Sequence, residues 1–147
     1  MRLLLDASAI VPLILDYGER IIGLAARVPL HTIDLAVYET GNSLWKLSSL
    51  LKTIGLEDSN EVLEVLRELV RRRIIEITRF DKLDLRRIIK LATDENTTFY
   101  DASYIAAAET LNAVLVTEDK ELRKKAENYV STMTYAQLRR LENTELL

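Results

Sequence analysis

The chain of 147 residues has no cysteine, so disulfides, thiolate metal sites and cysteine nucleophiles are all excluded. It has a single histidine, His31 at the start of an expected strand, which leaves little room for a histidine general base or a serine triad. Only 2 prolines and 4 glycines occur, and no glycine-rich loop is present; nucleotide-binding enzymes of the P-loop or dinucleotide type are therefore disfavoured. No apolar run approaches the ~20 residues that a bilayer-spanning helix needs, so no membrane association is expected. The N-terminus lacks a basic segment followed by a long apolar stretch; no signal peptide is expected, and a cytoplasmic location follows by default.

What remains is 48% hydrophobic and 29% charged, with a net charge of −3. That balance suits a globular protein and is too apolar for disorder. The length fits one domain, residues 1–147, burying about 70% of the surface its unfolded chain exposes. A net negative charge argues against non-specific coating of nucleic acid, but acids gathered at one site can set the total while basic residues face phosphates elsewhere.

Short apolar runs alternate with longer helical patterns, which predicts a parallel sheet wrapped by helices. Strands are expected at Arg2–Asp6, Leu30–Ile33, Ile74–Thr78, Ala113–Thr117 and, weakly, around Tyr129–Thr132. Helices are expected at Ser8–Leu15, Tyr17–Ala26, Leu35–Thr53, Ser59–Arg72, Lys82–Asp94, Tyr100–Leu111, Lys120–Ala126 and Tyr135–Leu141. Gly55 is expected to close the third helix, and Asp58 or Ser59 to cap the fourth.

Four acids fall at the carboxyl edge of this sheet. Asp6 follows Leu3-Leu4-Leu5 and either caps the next helix or, with Ser8 capping instead, points into the crevice. Glu39 lies one turn inside a helix on a polar stripe with Asn42 and Lys46, which a solvated face also explains. Asp101 stands in the capping-box pattern Thr98-Phe99-Tyr100-Asp101. Asp119 follows Val114-Leu115-Val116-Thr117 and is itself a candidate cap, as is Thr117. Each acid alone is uninformative. Together they occupy the edge where open α/β sheets bind ligands, and four carboxylates there suit a divalent cation.

Basic residues receive two readings. Lys120, Arg123 and Lys124 (with Lys125) form a solvated face or, being just past Asp119, contact an RNA backbone. Trp45 and the six tyrosines are assigned to packing. A receiver-like phosphorylation domain also places acids at this edge, but it requires paired acids after the first strand and a lysine after the last, and only Asp6 is present.

The segments Leu5-Asp6-Ala7-Ser8, Leu35 to Leu44, Phe99 to Ala106 and Leu115 to Leu122 resemble the PIN-domain ribonucleases, most closely the VapC-type toxins of toxin–antitoxin pairs. The resemblance runs from Arg2 to about Tyr135. It implies a three-layer αβα fold with a central parallel sheet of four or five strands. It implies an Mg²⁺- or Mn²⁺-dependent endoribonuclease in which Asp6, Glu39, Asp101 and Asp119 are both metal ligands and catalytic residues, with Ser8, Asn42 and Thr117 as supporting polar groups. RNA as substrate, a small antitoxin protein as partner and a homodimer are implied as well. The alternatives are a non-toxin PIN nuclease in RNA processing and a non-catalytic RNA- or protein-binding module of the same fold.

Overall fold

In the computed structural model, residues 1–144 are described. Five parallel strands lie in the order β3-β2-β1-β4-β5, with β1 at Leu3–Leu5, β2 at Leu30–Ile33, β3 at Ile75–Thr78, β4 at Val114–Val116 and β5 at Thr132–Met133. The helices are α1 (Ala7–Tyr17), α2 (Ile21–Arg27), α3 (Asp34–Trp45), α4 (Leu56–Arg71), α5 (Leu85–Asp94), α6 (Phe99–Leu111), α7 (Lys120–Ala126) and α8 (Tyr135–Asn143). This is the expected αβα arrangement. The central strand shows why: Leu3, Leu4 and Leu5 are all 0% exposed, as a strand covered on both faces must be.

The strand order turns back on itself between β1 and β4, since β2 and β3 extend to one side and β4 and β5 to the other. The residues that follow these two strands are Asp6 and Thr117. A doubly wound sheet opens its binding crevice at that switch point.

Several boundaries differ from expectation, each for a local reason. The first helix runs on to Tyr17 and ends at Gly18, whose φ of +51° suits glycine and whose N–H reaches the Ile14 carbonyl. The third helix stops short of Thr53: after Trp45 it widens into a π-turn over Lys46–Leu50, and Lys52 then takes a left-handed φ of +52°. Gly55 therefore does not close α3. It heads α4, where its N–H donates to Asp58 Oδ2 at 3.0 Å and its carbonyl accepts from the Ser59 hydroxyl at 3.2 Å. The fourth helix thus begins at Leu56, with Asp58 in its first turn rather than at its cap. The last strand is shifted towards the C-terminus, because Tyr129 and Val130 donate their N–H groups back to Ala126 and leave Ser131 to Met133 to pair with β4.

His31 sits at the start of β2, at the far end from the acids, and is buried. Its Nδ1 lies 3.9 Å from Glu76 Oε2 on β3, while Nε2 has no hydrogen-bond partner among the described residues. Burial lowers its pKa; Glu76 opposes that shift and Arg2 adds to it. The unfolded chain therefore takes up a proton near pH ~6.5 while the native state resists until a lower pH. Stability should fall as pH drops below ~6.5 through the native pKa. His31→Gln should flatten that decline relative to wild type in urea unfolding at pH 7.5 and 5.5. A second expected outcome concerns packing: Leu4→Ala should cost about 2–5 kcal/mol in the same assay.

Candidate metal centre

Asp6 ends β1 and begins α1, and it does both tasks that its position suggested. Its Oδ1 accepts from the Ala9 N–H at 3.0 Å, capping α1, so Ser8 is not the cap. The Ser8 hydroxyl instead donates to the same Oδ1 at 2.6 Å, and the Thr117 hydroxyl donates to Oδ2 at 2.5 Å. Burial raises the Asp6 pKa, the three hydrogen bonds counter that shift, and the charge of Glu39 adds to it. Only 5% of Asp6 is exposed. A carboxylate taken this far from water needs such donors.

Thr117 is fully buried and joins two elements. While donating to Asp6 it accepts from the Asp119 N–H at 3.0 Å. Ser8 works in parallel, accepting from the Glu118 N–H at 2.8 Å. The turn after β4 is thereby fastened to the turn after β1 through two hydroxyls.

Glu39 projects from α3, and the Tyr104 hydroxyl on α6 donates to its Oε1 at 2.5 Å. Tyr104 is 2% exposed, and burial together with the Glu39 bond pushes its pKa far above the ordinary phenol value. Both Asp6 and Glu39 act on the Tyr104 hydroxyl electrostatically. Asp6, Glu39 and Tyr104 thus share one environment. The tyrosines were assigned to packing; Tyr104 does pack, and its hydroxyl also makes a hydrogen bond to Glu39 that this assignment missed. No local pattern marks it, because the bond joins residues 65 apart on separate helices.

Asp101 and Asp119 are engaged locally. At the head of α6, Thr98 accepts from the Asp101 N–H at 3.1 Å as expected, but the reciprocal half of the capping box is replaced: Asp101 Oδ2 accepts from the Thr97 hydroxyl at 3.1 Å. Asp119 caps α7, its Oδ1 accepting from Glu121 and Leu122 at 2.8 and 3.0 Å, which settles the choice of cap in its favour over Thr117. Asn42 is exposed on α3, one turn beyond Glu39. Among the described residues, no three Asp, Glu or His side chains are gathered closely enough to hold a metal ion. The charge of Glu39 acts on Asp6.

Lys120 and Lys124 are exposed on α7, and Arg123 is half-buried with Glu127 Oε1 at 4.0 Å.

Fold and site together define a doubly wound α/β domain with a buried acid at the switch point and further acids on the helices beside it. The chain belongs to the PIN domain family, whose model matches residues 3–128. It is 33% identical to Exonuclease VapC9 of Pyrobaculum aerophilum over 89% of this chain and 90% of that protein. To Ribonuclease VapC3 of the same organism it is 34% identical, over 85% of this chain and 95% of the relative. The crystal structure of PAE2754 from Pyrobaculum aerophilum matches with a TM-score of 0.72 and 29% identity, covering 94% of this chain and 93% of that one. VapBC-1 from nontypeable Haemophilus influenzae shares the fold at a TM-score of 0.59, with 15% identity over 92% and 99% of the two chains.

Thr117→Val should remove the donor to Asp6 Oδ2 while keeping shape, and cost about 1–3 kcal/mol in urea unfolding. In an Asp6→Asn background the cost of Thr117→Val should shrink, since the buried charge that needs the donor is gone; an equal cost in both backgrounds contradicts the coupling.

Proposed function

We propose that this chain is a divalent-metal-dependent endoribonuclease and the toxin of a toxin–antitoxin pair. One observation carries the reading. A buried carboxylate, Asp6, stands at the switch point of the sheet, and a second carboxylate, Glu39, is held by the buried Tyr104 hydroxyl, on which both charges act. Placing two acids together is unfavourable unless a cation is meant to join them. The PIN nuclease family is generally dependent on a divalent metal.

The donor chemistry of this chain fits such an ion. Asp6 and Glu39 offer hard oxygen ligands of the kind that Mg²⁺ and Mn²⁺ prefer. Asp101 and Asp119 each have one carboxylate oxygen outside the caps and turns described above. Asp6 and Glu39 would hold the ion, and Asp101 and Asp119, which are not gathered with them in this structure, would reach it through water. Ser8 and Thr117 orient Asp6, and Asn42 stands on the same helix as Glu39. When bound, the cation supplies Lewis acidity toward the phosphodiester and toward the water that attacks it.

The chain's own residues do the rest. Asp6 is locked in one rotamer by three donors, so little reorganisation is required when a cation arrives. Exposed Lys120 and Lys124, with Arg123, follow Asp119 and can meet the phosphates of a bound RNA. The relatives named VapC, together with the VapBC structure, support a small antitoxin protein as partner. Homodimerisation belongs to the same reading. Among the described residues no helix is long and apolar enough to cross a membrane.

The test uses a circular single-stranded RNA, which has no ends. Wild type with Mg²⁺ or Mn²⁺ should linearise it, and EDTA should stop the reaction. Asp6→Asn should lose more activity than the roughly 10–100-fold typical of removing an outer-sphere group, with an unchanged circular dichroism spectrum. Cleavage of linear RNA only, from an end, would refute the internal mode of cutting. Either ion should also raise the melting temperature, by the equivalent of roughly 2.7 kcal/mol at a hundredfold excess over Kd; a melting curve indifferent to both ions is the contrary result.

A further inference from the structure

We infer that Tyr104 is a positioning residue for the metal centre: its hydroxyl fixes the carboxylate of Glu39 from the helix that also carries Asp101. The inference rests on the metal-dependent reading above and goes beyond it, because it assigns a role to a residue outside the acidic set.

The geometry is specific. Glu39 lies on α3 and Tyr104 on α6, 65 residues apart, and the 2.5 Å bond between them is the only side-chain hydrogen bond that Glu39 makes among the described residues. Glu39 is half-buried, and its side chain has several rotatable bonds. Asp6, Asp101 and Asp119 are each short and each held by their own turn or cap. Glu39 is the long exception, and with no cap or turn to hold it a partner from elsewhere must fix its direction. Tyr104 supplies that partner from a ring that is 2% exposed and packed in the core beside Ala107 and Ala108, so the donor itself cannot wander.

The chemical type of the donor also matters. An arginine or lysine at this place would neutralise Glu39 and compete with a cation. A phenol hydroxyl donates one hydrogen bond and leaves the charge in place, which is how outer groups commonly orient metal-binding carboxylates. Asp101 and Tyr104 stand three residues apart on α6, on neighbouring positions of one face. A single helix therefore carries one candidate ligand and the group that aims another.

The experiment compares full-length wild type with Tyr104→Phe, which removes one oxygen and keeps the ring. Mn²⁺ affinity is read directly, by calorimetry or by the electron paramagnetic resonance signal of free Mn²⁺, and cleavage is measured at saturating Mn²⁺. Tyr104→Phe should weaken Mn²⁺ binding about 10–100-fold, and raising the Mn²⁺ concentration should recover most of the cleavage rate. Adding Tyr104→Phe to Glu39→Gln should produce no further loss of affinity. A Tyr104→Phe protein that folds and binds Mn²⁺ as wild type does overturns the inference and leaves the nuclease reading untouched. If wild type itself neither binds Mn²⁺ nor cuts RNA, the nuclease reading fails and takes this inference with it.

Should Tyr104→Phe fail to fold, wild type alone decides. The buried Tyr104 hydroxyl should give a slowly exchanging downfield proton resonance that moves as Mg²⁺ is added; a resonance that Mg²⁺ saturation leaves in place is the overturning result.

Discussion

Removing the charge of Asp6 from water is unfavourable, and much of the local architecture answers that demand. A nearly buried carboxylate needs donors on several sides, and the chain provides them from three places: the first turn of α1, the Ser8 hydroxyl and the Thr117 hydroxyl beyond β4. The same hydroxyls accept N–H groups from Glu118 and Asp119. Satisfying one acid therefore fixes the turn that leads into α7 and the register of two central strands at their carboxyl ends. The short length of β1, three leucines with no exposed face, places this acid at the point where the sheet divides.

Charge distribution follows the same constraint. The charge of Glu39 adds to the burial that disfavours ionised Asp6, and the fold accepts that conflict. Elsewhere the charges are matched conventionally, as in the bidentate pair of Arg87 with Glu109 between α5 and α6. A conflict retained at a switch point belongs to binding more than to folding.

The strands and most helices were legible because their signals are local. Leu3-Leu4-Leu5 and Val114-Leu115-Val116 read as buried parallel strands, and Asp119 and Thr98 stand at the caps that their residue types favour. Asp6 and Asp119 were legible as acids just past β1 and β4, whereas a gathering of all four acids is not seen among the described residues. Where reading failed, a competing partner decided the matter. Gly55 was assigned to the end of α3, but Asp58 offered its N–H an acceptor, and Lys52 took the left-handed turn. The fifth strand slid by about two residues because Ala126 claimed the N–H groups of Tyr129 and Val130. Tyr104 could not be singled out at all: its bond to Glu39 joins helices 65 residues apart, and no spacing rule reports such a contact.

The two hydroxyls beneath Asp6 have a consequence for what can enter the crevice. Each has a single proton, and both protons are turned inward to the carboxylate. The outer side of each oxygen is occupied by a backbone N–H. The floor of the crevice therefore has lone pairs but no hydroxyl hydrogen to offer a visitor. An anion meets acceptors at these two oxygens, whereas a cation meets lone pairs.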